Sequence, residues 1–160
     1  RINRLASGIG IIKVGGTTEV EMMEALHRAD DALKAVKSAQ EQGVTLGGGM
    51  ALLRAAVAVE ATASTSLTQA ELVGRQIVID ACKEPIRQMC ANAGTSADVM
   101  IKTLTEVDDG HGYDFATGQV VDMLESGIID PVKVTKTALM NAVSAAGILI
   151  TTSHGIVETN

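Results

Sequence analysis

Apolar residues at Met22, Leu26, Ala29, Leu33 and Val36 step by four and three, which at about 3.6 residues per turn holds them on a narrow arc and predicts an amphipathic helix. Thr18 stands three residues before Glu21, the spacing of a capping box, and Gly43 follows Gln42, so the helix is expected to open at Thr18 and stop at Gly43. One face is committed to packing. On the same wheel Asp31 falls opposite that stripe, beside Glu24, His27 and Lys34, where it faces water or a cleft.

Ahead of this helix, residues 9–14 are β-branched and bounded by glycines, as in a short strand. Gly47-Gly48-Gly49 leads into a second helix over residues 50–60, and a small polar stretch to Leu67 reads as a loop. Thr68 with Glu71 repeats the capping-box spacing and opens a third helix through about Cys82. Pro85 suits the first turn of a fourth, closed by Gly94, and Ser96 is a cap for a fifth that ends near Thr105. Asp108-Asp109-Gly110-His111-Gly112 is a turn, residues 113–121 with Gly118 read as a small hairpin, and a brief helix to Glu125 stops at Gly127. Asp130 suits the N-cap, and Pro131 the first position, of a long helix through Ala146; residues 148–152 and 155–158 are expected as a last strand.

Composition sharpens this to a mainly α fold. Hydrophobic residues make up 46% of the 160 and charged ones 20%, so one ordinary core is expected. With one Tyr, one Phe and no Trp, small and aliphatic side chains must fill that core, which favours close helix packing. A net charge of −6 without a basic cluster argues against nucleic acid as a partner. There is no uninterrupted apolar run of about 18 residues and no leader pattern, so neither a membrane span nor a secretion signal is expected and the compartment is read as cytoplasmic. Cys82 and Cys90 have neither redox nor ligand spacing and read as small buried thiols; His27, His111 and His154 are isolated and make no metal site. The chain begins at Arg1 and runs at once into an unpartnered strand pattern, as if cut from something larger.

The candidate chemistry lies in three places. Glycines opening an apolar helix expose backbone amides that favour an anion, although a helix-entry turn needs the same residues. The triple glycine fits neither a Walker loop, since no Gly-Lys-Ser/Thr follows, nor the dinucleotide fingerprint, since Leu52 occupies the third glycine position. Asp31 could orient or deprotonate a water that attacks a terminal phosphate, or could be plain solvated surface. Asp130 could accept hydrogen bonds from ribose hydroxyls, or could serve only as an N-cap. Together they point to a nucleotide machine.

In order and spacing, Ile11-Ile12-Lys13-Val14-Gly15-Gly16-Thr17, Asp31-Ala32-Leu33, Gly47-Gly48-Gly49-Met50-Ala51-Leu52-Leu53-Arg54, Gly112-Tyr113-Asp114 and Gly127-Ile128-Ile129-Asp130-Pro131-Val132-Lys133-Val134-Thr135 resemble the C-terminal part of a group I chaperonin, the GroEL family. The resemblance covers essentially the whole chain. It implies the edge of an apical domain at residues 1–9, an intermediate-domain segment with a long helix at 10–42, and the second half of a helical equatorial ATP-binding domain, with a small β hairpin and edge strands, at 43–160. It implies that Asp31 is the catalytic acid that aligns the hydrolytic water, that Gly47 and Gly48 approach the nucleotide with their backbone, that Asp114, Phe115 and Ala116 border the adenine, and that Asp130 holds the ribose. Phe115 stands where the family usually has Ala, and Asp114 where some relatives have Asn. ATP and magnesium are the implied cofactors, with the main phosphate loop and the magnesium-binding acid upstream of Arg1. The implied parent is a protein-folding ATPase of the stress response, a homo-oligomeric double ring that encloses unfolded client proteins with a co-chaperonin. The fragment alone is then expected to be inactive. A nucleotide-free helical scaffold or interaction module is the alternative.

Overall fold

The computed structural model describes residues 10–62 and 66–156. The start of the expected first strand, the apical edge at 1–9, part of the loop to Leu67 and the end of the last expected strand lie outside the described residues. The chain divides into two compact units, Arg1–Lys37 and Ser38–Asn160.

In the first unit, residues 10–16 form no strand. They find no ladder partner among the described residues, and Ile11 and Ile12 stay exposed. Helix α1, Glu19–Gln42, begins where its capping box predicts: Glu21 N donates to Thr18 Oγ1 at 3.2 Å, and Thr18 N to Glu21 Oε2 at 3.3 Å. Its apolar stripe is not buried. Leu26, Ala29 and Leu33 instead share an open apolar groove with Ile11, Ile12 and Val14.

The second unit holds the end of α1 and the remaining elements: β1 (Val44–Leu46), α2 (Met50–Glu60), α3 (Gln69–Asn92), α4 (Ala97–Glu106), β2 (His111–Asp114), β3 (Gln119–Asp122), β4 (Ile129–Pro131) and α5 (Val132–Thr151). Gly43, at φ +81°, ends α1 as expected, its N–H donating to Ala39 O at 2.7 Å. The strands make two antiparallel pairs, β1 with β4 and β2 with β3. Met50, Leu53, Ile86, Leu104 and Met123 form the fully buried core, and Ala56, Ile79 and Cys82 form a smaller cluster that Leu139 of α5 covers.

Three expectations are corrected here. Residues 69–92 are one helix, with Pro85 inside it, where two had been expected. Ile79, Cys82, Ile86 and Cys90 are all buried, and their spacing of three and four runs one apolar stripe straight through the proline. That packing outweighs a lost hydrogen bond and a ring clash worth about 3 kcal/mol. Residues 123–127 are a turn, not a helix: Ser126 N donates to Asp122 O and Gly127 N to Leu124 O, too few bonds to meet the cost of helix nucleation. Residues 148–151 continue α5, and 152–156 form no strand, because no second strand lies beside them among the described residues. By length and composition, α5 is the one helix among the described residues able to cross a membrane. Its first turns nevertheless belong to the fold, since Lys133 pairs with Glu41 and Leu139 packs on the smaller cluster.

Candidate functional site

The register of β1 on β4 places Thr45 opposite Asp130 and Leu46 opposite Ile129, so the glycine turn leaves the ladder beside the acid. Gly47 N donates to Ile128 O at 2.9 Å, and a Cβ on Gly47 would lie 3.0 Å from both the carbonyl carbon and oxygen of Ile128. Only glycine lets the strand approach so closely. Gly48 and Gly49 follow at φ +58° and +75°, a left-handed conformation strained for any other residue, and reverse the chain into α2. Met50 N donates to Gly47 O at 3.0 Å and Leu53 N to Gly49 O at 3.2 Å, so of the amides opening that helix those of Ala51 and Leu52 are left without such a partner, the usual seat for an anion.

Asp130 corrects the sequence reading. It is not an N-cap: pairing with Thr45 holds it extended, Pro131 occupies the cap position at φ −66° and ψ 128°, and Val132 N donates to Gly43 O at 3.1 Å. The strand pairing wins these residues from the helix. The exposed carboxylate is thereby released from the capping duty that alone would have accounted for it.

The β2–β3 hairpin forms a third side. Its register pairs His111 with Asp122 and Tyr113 with Val120, two residues earlier than expected at its start. The hairpin seats on the core at Gly112, where a Cβ would fall 2.7 Å from Met123 Sδ and 2.8 Å from Met50 Cγ. Met123 also lies under the glycine turn, its Cε 3.2 Å from a Cβ position on Gly48, with Tyr113 O 3.9 Å from that position. Segments 47–49, 112–116 and 128–130, far apart in sequence, thus converge in one unit.

Within the hairpin turn, Asp114 is held by its neighbours. Thr117 Oγ1 donates to Asp114 Oδ2 at 2.8 Å, Ala116 N donates to Asp114 Oδ1 at 2.9 Å, and these bonds hold the carboxyl below its ordinary 3.8, the Thr117 side chain contributing most. Phe115 meets Tyr113 edge to face, ring centres 4.9 Å apart at 80°, and packs against the core, whereas Ala116 is exposed. The three residues matched to an adenine border therefore differ: Asp114 shapes the turn, Phe115 anchors it and Ala116 is open to a ligand.

Asp31 lies on α1 in the first unit, its side chain 79% exposed and 4.0 Å from Lys34 Nζ. Lys34 binds Asp30 more closely, at 2.6 Å, which holds the Asp30 carboxyl below its usual value. The nearer ion pair leaves Asp31 the more open of the two acids. Among the described residues no three His, Cys, Asp or Glu side chains gather as a metal site.

Sequence reasoning missed Met123 and gave Gly112 and Arg54, though they stand in the stretches that carry the resemblance, no role in this region. Arg54 carries the one visible signal, a lone basic residue in a helix that is otherwise apolar up to its last residue, Glu60. A model of the TCP-1/cpn60 chaperonin family matches residues 2–160, and the chain belongs to that family.

Proposed function

From that membership we propose that this protein, a chaperonin-type folding chaperone, is driven by ATP, and that the segments converging on the glycine turn are one wall of its nucleotide site. The carrying observation is the convergence of segments 47–49, 112–116 and 128–130. Gly47 and Gly48 bring backbone to the nucleotide, and the amides opening α2 offer partners to a phosphate oxygen. Asp130, freed from capping, accepts the ribose hydroxyls, while Asp114, Phe115 and Ala116 border the base.

Asp31 supplies the hydrolytic group. Its carboxylate orients a water whose oxygen bonds to the γ-phosphorus as the bond to the β–γ bridging oxygen breaks; ADP leaves and the water's proton passes to the carboxylate. Magnesium, which offsets charge on the phosphates, would take its protein ligand from another part of the molecule. Residues 10–42 act as the intermediate segment that carries Asp31, and 43–160 as half of an equatorial domain. The group I reading adds a cytoplasmic double ring, unfolded clients and a co-chaperonin.

Asp31→Ala in the full-length protein tests the mechanism. ATP affinity is expected to persist while steady-state hydrolysis falls by at least about tenfold, a floor set below the roughly hundredfold or more that a positioned acid–base group contributes. Undiminished turnover would refute the role. Calorimetry with ATP and magnesium on the unsubstituted protein separates the alternative, because absence of heat would favour a nucleotide-free scaffold.

A further inference from the structure

Arg54 is a charged side chain drawn well into the fold, only 18% exposed. Its Nη2 donates to two successive carbonyls, Val107 O at 2.9 Å and Asp108 O at 2.7 Å, while Nη1 stands 3.4 Å from Asp109 Oδ1. The Asp109 carboxylate is fully exposed, so that ion pair is screened and contributes little. The carbonyl bonds matter more, being charge-assisted and made from a largely desolvated donor.

The two ends of this clamp matter functionally. Arg54 is one turn beyond Met50, on the helix that the glycine turn opens. Val107, the extended C-cap of α4, and Asp108 follow the end of that helix, which has no basic residue in its own last turn, so the guanidinium lies just past its C-terminus. The same loop then enters β2, with His111 N donating to Asp108 O at 2.9 Å. One side chain therefore joins the start of α2 to the hairpin bearing Tyr113 and Asp114. Lysine, one bond shorter and without the second nitrogen that faces Asp109, reaches the two carbonyls bonded by Nη2 less well.

We propose that Arg54 is a positioning residue for the nucleotide wall, fixing the β2–β3 hairpin against the glycine turn. This rests on the ATP reading of the site. In the full-length protein, Arg54→Met and Arg54→Lys are compared with Asp109→Asn. For Arg54→Met, amides 111–122 are expected to exchange at least about tenfold faster than in the unsubstituted protein, and ATP affinity to fall by a similar factor, as loss of charged hydrogen bonds allows. Arg54→Lys should recover only part of both, and Asp109→Asn should change neither. Exchange spread evenly over the unit, without hairpin bias, would overturn the proposal, as would unchanged hairpin exchange or full recovery by lysine. Loosening of the hairpin in Arg54→Lys, which keeps the charge, reports on the clamp even if Arg54→Met fails to fold. If the unsubstituted protein binds no ATP, the nucleotide role is overturned, while hairpin exchange still distinguishes whether the clamp exists.

Discussion

Single side chains here are fixed by what their backbone demands, and Asp114 is the clearest case. A carboxylate that accepts from Ala116 N and Thr117 Oγ1 closes an Asx turn, and both bonds favour the ionised form. Because its folded value lies below the ordinary 3.8, its contribution is fully present above that value and is lost as the pH falls through the lowered one. The amide signals of Ala116 and Thr117 in an NMR titration are therefore expected to shift below the ordinary carboxylate range, while the core signals hold. Asp114→Asn should keep the turn, since its amide oxygen still accepts from Ala116 N while its NH2 can donate to Thr117 Oγ1, and should abolish the acid transition. A transition that survives the substitution would assign it to another group.

Helices and strands were legible wherever local chemistry and tertiary packing agree. Both capping boxes, the helix from Met50 to Glu60, the stop at Gly43 and the hairpin could be read because the residues that start or end each element lie within a few positions of it. Asp130 and Pro85 could not. At Asp130 the deciding partner is Thr45, remote in sequence, and nothing near Asp130 signals that a strand will claim it. The same long-range pairing hid how the glycine turn and the acid meet. At Pro85 a buried stripe overrides a local breaker, which predicts that removing the breaker stabilises the helix. Pro85→Ala restores an N–H to bond Ala81 O, partly offset by the freedom it returns to the unfolded chain, for a net gain of about 1–2 kcal/mol. Thermal unfolding followed by circular dichroism should then show Tm higher by about 2–6 °C. An unchanged or lower Tm would mean that the proline ring fits the packing of α3 better than a straight helix does.

At the scale of the whole molecule, the division between units falls inside α1, between Lys37 and Ser38. Upstream of it the helix buries no residue, and its ion pairs, Arg28 with Glu24 and Lys34 with Asp30, are exposed pairs within one turn that add little. Such a helix is marginal on its own strength. Downstream the chain is tied down: Glu41 pairs with Lys133, and Val132 N donates to Gly43 O. Local stability should therefore change along a single continuous helix. In hydrogen exchange, amides 19–37 are expected to open at least about a hundredfold faster than those around Met50, Leu53 and Ile86, with 38–42 between the two, the spread expected between a frayed segment and a buried core. Protection of 19–37 equal to that of α2 would overturn this and would make α1 one rigid lever. A gradient instead gives Asp31 a support that can move on its own timescale, as the hydrolytic role we propose for it requires.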